Sequence, residues 1–255
     1  MIRLSSLILA LLLVSAQALP IQVIGKGRPR QAAAGGGSCA TSDTALFHDE
    51  MLFGWESGDD PTAWTGPTSI TDVDAATFDT AYDTSALSTG KAAGQCNVGL
   101  RTTFTGTGGG YDTYRFDRGS AITLGTAVDI KFYVYVQSTI SGVGRTTIFC
   151  VGQATDPTGG IAANVEMRDN GGTTEVRGDA STSSAWIALT ANSWNLVHIH
   201  IDSTAASSSI AVNGGSAQTF TSGAVNVQYI YIGACFAGVG TGGQFVTDLV
   251  AVNTP

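Results

Sequence analysis

Apolar and polar positions alternate with period two over much of the chain, most plainly between Trp194 and Val252. The sequence there runs W-N-L-V-H-I-H-I-D, then S-I-A-V-N-G-G, then Y-I-Y-I-G-A, then F-V-T-D-L-V-A-V. Successive side chains of a strand point to opposite faces, so this alternation is what a half-buried antiparallel strand requires. Gly, Asn and Asp separate the runs and supply the turns. The same pattern predicts strands near 98–105, 112–117, 127–137, 145–152, 161–168, 173–178, 194–202, 208–213, 226–236 and 244–252. Leu46 to Trp55 are apolar enough for a first strand, and the Asp-, Gly- and Thr-rich stretch from there to Thr89 reads as loops. There is no amphipathic helix of useful length and no repeat at a fixed period. The expected fold is all-β: an antiparallel jelly-roll β-sandwich forming a single domain over residues 45–255.

Counting by two assigns faces. Val128, Ile130, Phe132, Val134 and Val136 share one side of their strand; Asp129, Lys131, Tyr133, Tyr135 and Gln137 share the other. Val197, Ile199 and Ile201 point inward, with Trp194, Leu196, His198 and His200 outward. Ile230, Ile232, Ala234 and Phe236 point inward, with Tyr229 and Tyr231 outward. Tyrosine and histidine present flat apolar faces with polar tips. Tyr133, Tyr135, His198, His200, Tyr229 and Tyr231 are therefore the candidate contacts for a glycan or surface polymer. His198 and His200 also have a spacing that suits a metal, but no third ligand is identifiable.

Composition supports this picture and narrows the function. The chain has 255 residues with 33 Gly and only 13% charged residues, which fits short strands joined by small-residue turns. Net charge is −8, and the twelve Lys and Arg are scattered. A phosphate-tracking protein needs them clustered, so nucleic acid is not an expected partner.

Residues 1–18 resemble a secretory signal. Arg3 precedes the apolar run Leu7 to Val14, and Ala16-Gln17-Ala18 has the small-x-small form of a cleavage site. A secreted chain cut after Ala18, with no membrane segment after processing, is expected. Residues 19–44 form a Pro-, Gly- and Ala-rich linker carrying Lys26, Arg28 and Arg30. Four cysteines, Cys39, Cys96, Cys150 and Cys235, are an even count that permits two disulfides in an exported protein. At least one is expected, Cys39–Cys96 being favoured. Cys150 and Cys235 can pair only if their strands are neighbours and Cys150 lies away from the core.

The run of Trp194, Val197, Ile199, Ile201 and Asp202, then Val212-Asn213-Gly214, then Ile230-Tyr231-Ile232-Gly233, then Phe245 with Asp248, resembles the concanavalin A-like or laminin-G-like jelly-roll sandwiches. Phe53-Gly54-Trp55-Glu56-Ser57-Gly58, Trp64 and Ser88-Thr89-Gly90-Lys91 resemble the opening of β-sandwich carbohydrate-binding modules. By that resemblance, Glu56, a carbonyl at Gly90 or Lys91, and Asp248 would hold a structural calcium, a cation that takes oxygen ligands.

Glycosidases on such sandwiches use carboxylates sharing one strand face. The nearest candidates here, Glu166 and Asp169, are three residues apart and so fall on opposite faces of a regular strand. No G-x-S-x-G motif occurs. The expected function is a secreted, non-catalytic module recognising a glycan or surface polymer. The alternatives are a structural protein of a virus particle or extracellular assembly, with the N-terminal segment as an anchoring arm in a homo-oligomer or larger array, and a divergent glycoside hydrolase.

Overall fold

The computed structural model describes residues 51–53, 69–74, 78–83, 99–104, 112–138, 145–202, 204, 207–236 and 244–254. Every regular element among them is a strand. In chain order they are β1 (Met51–Phe53), β2 (Ser69–Asp74), β3 (Phe78–Asp83), β4 (Gly99–Phe104) and β5 (Asp112–Ile122). Next come β6 (Ala127–Ser138), β7 (Arg145–Gly152), β8 (Ile161–Asn170), β9 (Thr173–Asp179) and β10 (Ile187–Ala188). The last are β11 (Trp194–Asp202), β12 (Ser207–Val212), β13 (Gln218–Thr221), β14 (Val227–Phe236) and β15 (Gln244–Asn253).

They form two antiparallel sheets. The first runs β13-β12-β11-β6-β15-β4-β3, with β1 also paired to β15. The second runs β10-β9-β8-β7-β14-β5-β2. The chain changes sheet on both sides of β2, β5 and β14, between β6 and β7, and between β10 and β11, and its last strand, β15, lies between β6 and β4 in the first sheet. The expected antiparallel sandwich is the observed architecture.

The predicted inward residues meet between the sheets. Val128, Ile130, Phe132, Val134 and Val136 of β6, Val197, Ile199 and Ile201 of β11, and Ile230, Ile232 and Ala234 of β14 all belong to one buried core. Phe132 of the first sheet stacks on Phe149 of the second, with ring centroids 4.4 Å apart. The β8–β9 hairpin closes through Gly171 and Gly172, at φ 63° and 91°, the pair of left-handed residues that a tight two-residue turn demands. Asp169 stabilises it by accepting a hydrogen bond from the Gly172 amide at 2.9 Å.

Several elements differ from the sequence expectation. Strands β2 and β3 occupy a stretch expected to be loop. In β2 the apolar residues Ile70 and Val73 are three apart, so the period-two signal is lost; its pairing with β5 alone makes it an edge strand. The short strands β10 and β13 were also not expected, being too brief to show a period. Strand β5 runs on past Asp117 to Ile122 through an irregularity opposite Val227–Tyr229. There Gly119 takes φ 86°, its amide donates to Asp117 Oδ1 at 2.6 Å, and the Arg118 guanidinium donates to the Ser120 carbonyl at 2.6 Å.

Candidate functional site

The outward face of the first sheet gathers four of the six expected ligand contacts. Strand register sets Trp194 opposite Tyr135, Leu196 opposite Tyr133, His198 opposite Lys131 and His200 opposite Asp129. Directly opposed residues of an antiparallel pair share a face, so one row runs from aromatic to polar. On the other side of β6, β15 sets Asp248 opposite Tyr133 and Asn253 opposite Asp129.

The two ends of this row differ. At the aromatic end Trp194 packs on Tyr135 with centroids 5.5 Å apart and edge-on to Tyr133 at 6.4 Å. Trp194 is 3% exposed and both tyrosines 6%. Neighbouring Asn195, fully buried, locks the approach to β11. Its Oδ1 accepts from the Thr190 amide at 2.8 Å and from Asn213 Nδ2 at 3.0 Å, and its Nδ2 donates to the Thr190 and Ser193 carbonyls. These rings therefore form a rigid floor and offer little open stacking surface.

The polar end is open. His198 Nε2 lies 2.7 Å and His200 Nδ1 3.1 Å from the same oxygen, Oδ1 of Asp129. The side chains of His198 and His200 are 39% and 37% exposed. A carboxylate oxygen only accepts, so both facing nitrogens act as donors. In a neutral ring the remaining nitrogen, Nδ1 of His198 and Nε2 of His200, is then an acceptor. The cluster can receive hydroxyl hydrogen bonds at two fixed points. Among the described residues no group of three or more His, Cys, Asp and Glu side chains is gathered in a way that could hold a metal. The Asp129 oxygen occupies the space between the two histidines.

Tyr229 and Tyr231 lie on the other sheet and join no common surface with the first four. Both point outward as expected, yet they are 9% and 1% exposed. The Tyr231 hydroxyl donates to the Ala154 carbonyl, Arg115 donates to the Thr155 carbonyl, and the Arg115 guanidinium sits 5.2 Å from the Tyr229 ring. The segment after β7 thus folds back over β14, closed by the Gln153 amide donating to the Gly160 carbonyl at 2.9 Å. Burial holds the Tyr231 phenol well above its ordinary pKa. Parity gives the direction of a side chain; it does not reveal a loop that folds over it.

Farther along the second sheet lies a group that period-two reasoning passed over. Trp186 precedes β10 and falls beside Arg177 on the outward face. The guanidinium carbons of Arg168 and Arg177 lie 4.1 and 4.6 Å from its ring centroid. Arg177 bonds Glu166 at 2.6 Å and Arg168 bonds Glu175 at 2.7 Å. Glu166 is thus held by arginine and Asp169 by the hairpin turn. The signal that could have found this group is the alternation of Glu166, Arg168, Glu175 and Arg177 with apolar residues.

Cys150 and Cys235 are both buried in a small cluster with Tyr229 and Tyr231. Glu56, Gly90, Lys91, Cys39 and Cys96 lie outside the described residues, and of Asp248 only the backbone is described.

The sequence matches no family model and no curated protein. Among solved structures, the chain is similar to several at low identity. An alginate lyase from Alteromonas sp. 272 is 10% identical over 61% of this chain and 88% of its own, with TM-score 0.40. A botulinum neurotoxin serotype D binding domain is 10% identical over 73% of this chain and 43% of its own, with TM-score 0.45. Domain 4 of an extracellular arabinanase from Geobacillus stearothermophilus, solved with arabinotriose, is 13% identical over 82% of this chain and 95% of its own, with TM-score 0.44. No residue role passes between chains at such identity, because unlike functions share a sandwich.

Proposed function

We propose that this chain is a secreted, non-catalytic module that binds a glycan or similar surface polymer on the outward face of the first sheet. The observation that carries the reading is the pair of half-exposed imidazoles fixed by one Asp129 oxygen, beside the floor of Tyr133, Tyr135 and Trp194. Sugar hydroxyls both donate and accept, and binding them well needs polar groups that are already oriented. Asp129 supplies that orientation. Lys131, opposite His198 in the register, adds a cation to the same row. A single short glycan would bind weakly, and several copies on one polymer would bind by avidity. Export rests on the signal-like segment that ends at Ala18. The calcium expected from Glu56, Gly90 or Lys91, and Asp248 stays a proposal on sequence resemblance alone.

The test is retention of the protein in gels cast with a panel of neutral and acidic polysaccharides. At least one polymer should retard the parent. His198→Ala with His200→Ala should lower that affinity by about tenfold, the worth of one or two hydrogen bonds. Arg168→Ala with Arg177→Ala, on the other sheet, should leave it unchanged. No retardation across the panel, or equal retardation of the histidine variant, would sink the reading and favour a structural role in an assembly. Release of new chain ends from a bound polymer would show catalysis instead.

A further inference from the structure

We infer that Cys150 and Cys235 form a disulfide joining β7 to β14 when the chain folds in an oxidising compartment. The argument begins with strand direction. Phe149 and Val151 point into the core, so Cys150 between them points outward, on the far side of the second sheet. Its partner across the ladder is Tyr231 of β14. In a regular ladder Cys235, four residues beyond Tyr231, would lie well past Cys150.

An irregularity brings it back. Ile232 pairs with Phe149, but the next paired residue of β14, Phe236, meets Thr147. Four steps along β14 match two along β7, so β14 carries extra residues here. Gly233 makes this possible with φ 120°, a conformation that L side chains rarely adopt. The excess chain turns Cys235 back until its Sγ lies 3.8 Å from the carbonyl of Tyr231, the residue paired with Cys150. Both thiols end fully buried in one cluster with Tyr229 and Tyr231, and Ile161 packs against it. The Cys150 thiol is held above its ordinary pKa first by burial, then by a hydrogen bond to Cys235. Such contact between two thiols on adjacent strands is the starting geometry for a cross-link.

A small-molecule disulfide such as oxidised glutathione is a sufficient oxidant. One cysteine thiolate attacks its S–S bond, forms a mixed disulfide and expels one glutathione thiolate. The second cysteine thiolate then attacks the protein sulfur of that mixed disulfide. The Cys150–Cys235 bond forms and the second glutathione leaves. Two protein S–H bonds are lost, and the two electrons and two protons leave with two reduced glutathiones. Because neither thiol is exposed, the reaction belongs to folding, before the segment after β7 covers the site. The finished bond is correspondingly shielded from reductants.

The test uses the full chain, refolded once in a glutathione redox buffer and once under reductant. Each sample is denatured, alkylated and digested without reduction, then read by mass spectrometry. In the oxidised sample the peptides containing Cys150 and Cys235 should appear joined, lighter by two hydrogens than their sum. The oxidised protein should melt higher than the reduced one by roughly 10 °C. Cys235→Ser should leave Cys150 alkylated and abolish the portion of that gain due to this bond. Oxidised, folded chain with both Cys150 and Cys235 alkylated would overturn the inference, as would either found linked to Cys39 or Cys96. Peptide mapping of the parent decides the matter even if the serine variant does not fold, and it is independent of any glycan binding.

Discussion

Phe132 and Phe149 stack across the space between the two sheets, 7° from parallel and with centroids 4.4 Å apart. Each comes from a strand near the centre of its layer, and neither is exposed. The pair therefore couples the sheets where few other groups could replace it. Phe149→Ala should cost about 3–5 kcal/mol, the range for emptying a well-packed aromatic site. Urea unfolding measures it, and a loss below about 1 kcal/mol would mean that the core closes over the gap.

Glu166 distinguishes a buried ion pair from an exposed one on the same carboxylate. Arg177 lies 2.6 Å from Oε2 with 14% of its side chain exposed; Arg145 lies 3.4 Å from the same oxygen and is 60% exposed. Arg177→Ala should destabilise by about 3–5 kcal/mol because it strands a largely buried charge. Arg145→Ala should cost roughly 0–1 kcal/mol. Equal effects in chemical denaturation would refute the distinction.

Two glycines leave no room for a side chain, one against backbone and one against an aromatic ring. A Cβ at Gly223 would collide with the carbonyl oxygen of Ile161, a backbone atom of β8. At Gly178 it would meet the Phe220 ring at 2.5 Å, across the two sheets. Gly223→Ala should cost about 1–3 kcal/mol or more, since a sheet backbone cannot step aside. Gly178→Ala should do the same while loosening Phe220, visible as a changed ring environment by NMR. A neutral Gly223→Ala variant would show the approach to be looser than described.

Alkaline pH should weaken the reduced protein. Burial holds the Cys150 thiol and the Tyr231 phenol above their ordinary values, so folding favours their protonated forms. The unfolded chain sheds these protons near the ordinary pKa values, about 8.5 for thiol and 10 for phenol. The stability they contribute is complete below those values and is lost as pH rises through them toward the folded values. Tm should therefore fall above about pH 8.5 in the reduced chain. Tyr231→Phe with Cys150→Ala should flatten the fall; an unchanged slope would assign it to other groups.

The exposed turns should behave oppositely in acid. Asp202 is held below the usual carboxylate range by hydrogen bonds from the Thr204 hydroxyl and amide, with Oγ1 at 2.6 Å. A lowered folded value means that its contribution is present at neutral pH and fades as pH drops through it. Asp202→Asn should leave Tm at pH 7 nearly unchanged and reduce its acid dependence slightly. A large loss at pH 7 would show that the turn has a further structural role.

The sequence by itself determined the fold class, the inward residues of β6 and β11 and those of β14 as far as Ala234, and the outward side of Tyr133, Tyr135, His198, His200, Tyr229 and Tyr231; the side chains of Gln137 and Phe236 lie outside the described residues. It could do so because burying one face of a sheet leaves a period-two trace in the chain. It missed β2, where Ile70 and Val73 break the alternation, β3, which lies in the same Asp- and Thr-rich stretch, and β10 and β13, which are too short to show one. Tertiary structure alone decided the rest. Parity could not tell that Tyr133 and Tyr135 share a sheet with His198 and His200 while Tyr229 and Tyr231 lie on the other, since strand order is set by pairing between distant segments. Nor could it show Asp129 joining two histidines some seventy residues away, Trp186 against two arginines, or a kink at Gly233 that turns Cys235 back toward Cys150. Those depend on register, bulges and covering loops, which arise only when strands far apart in sequence meet.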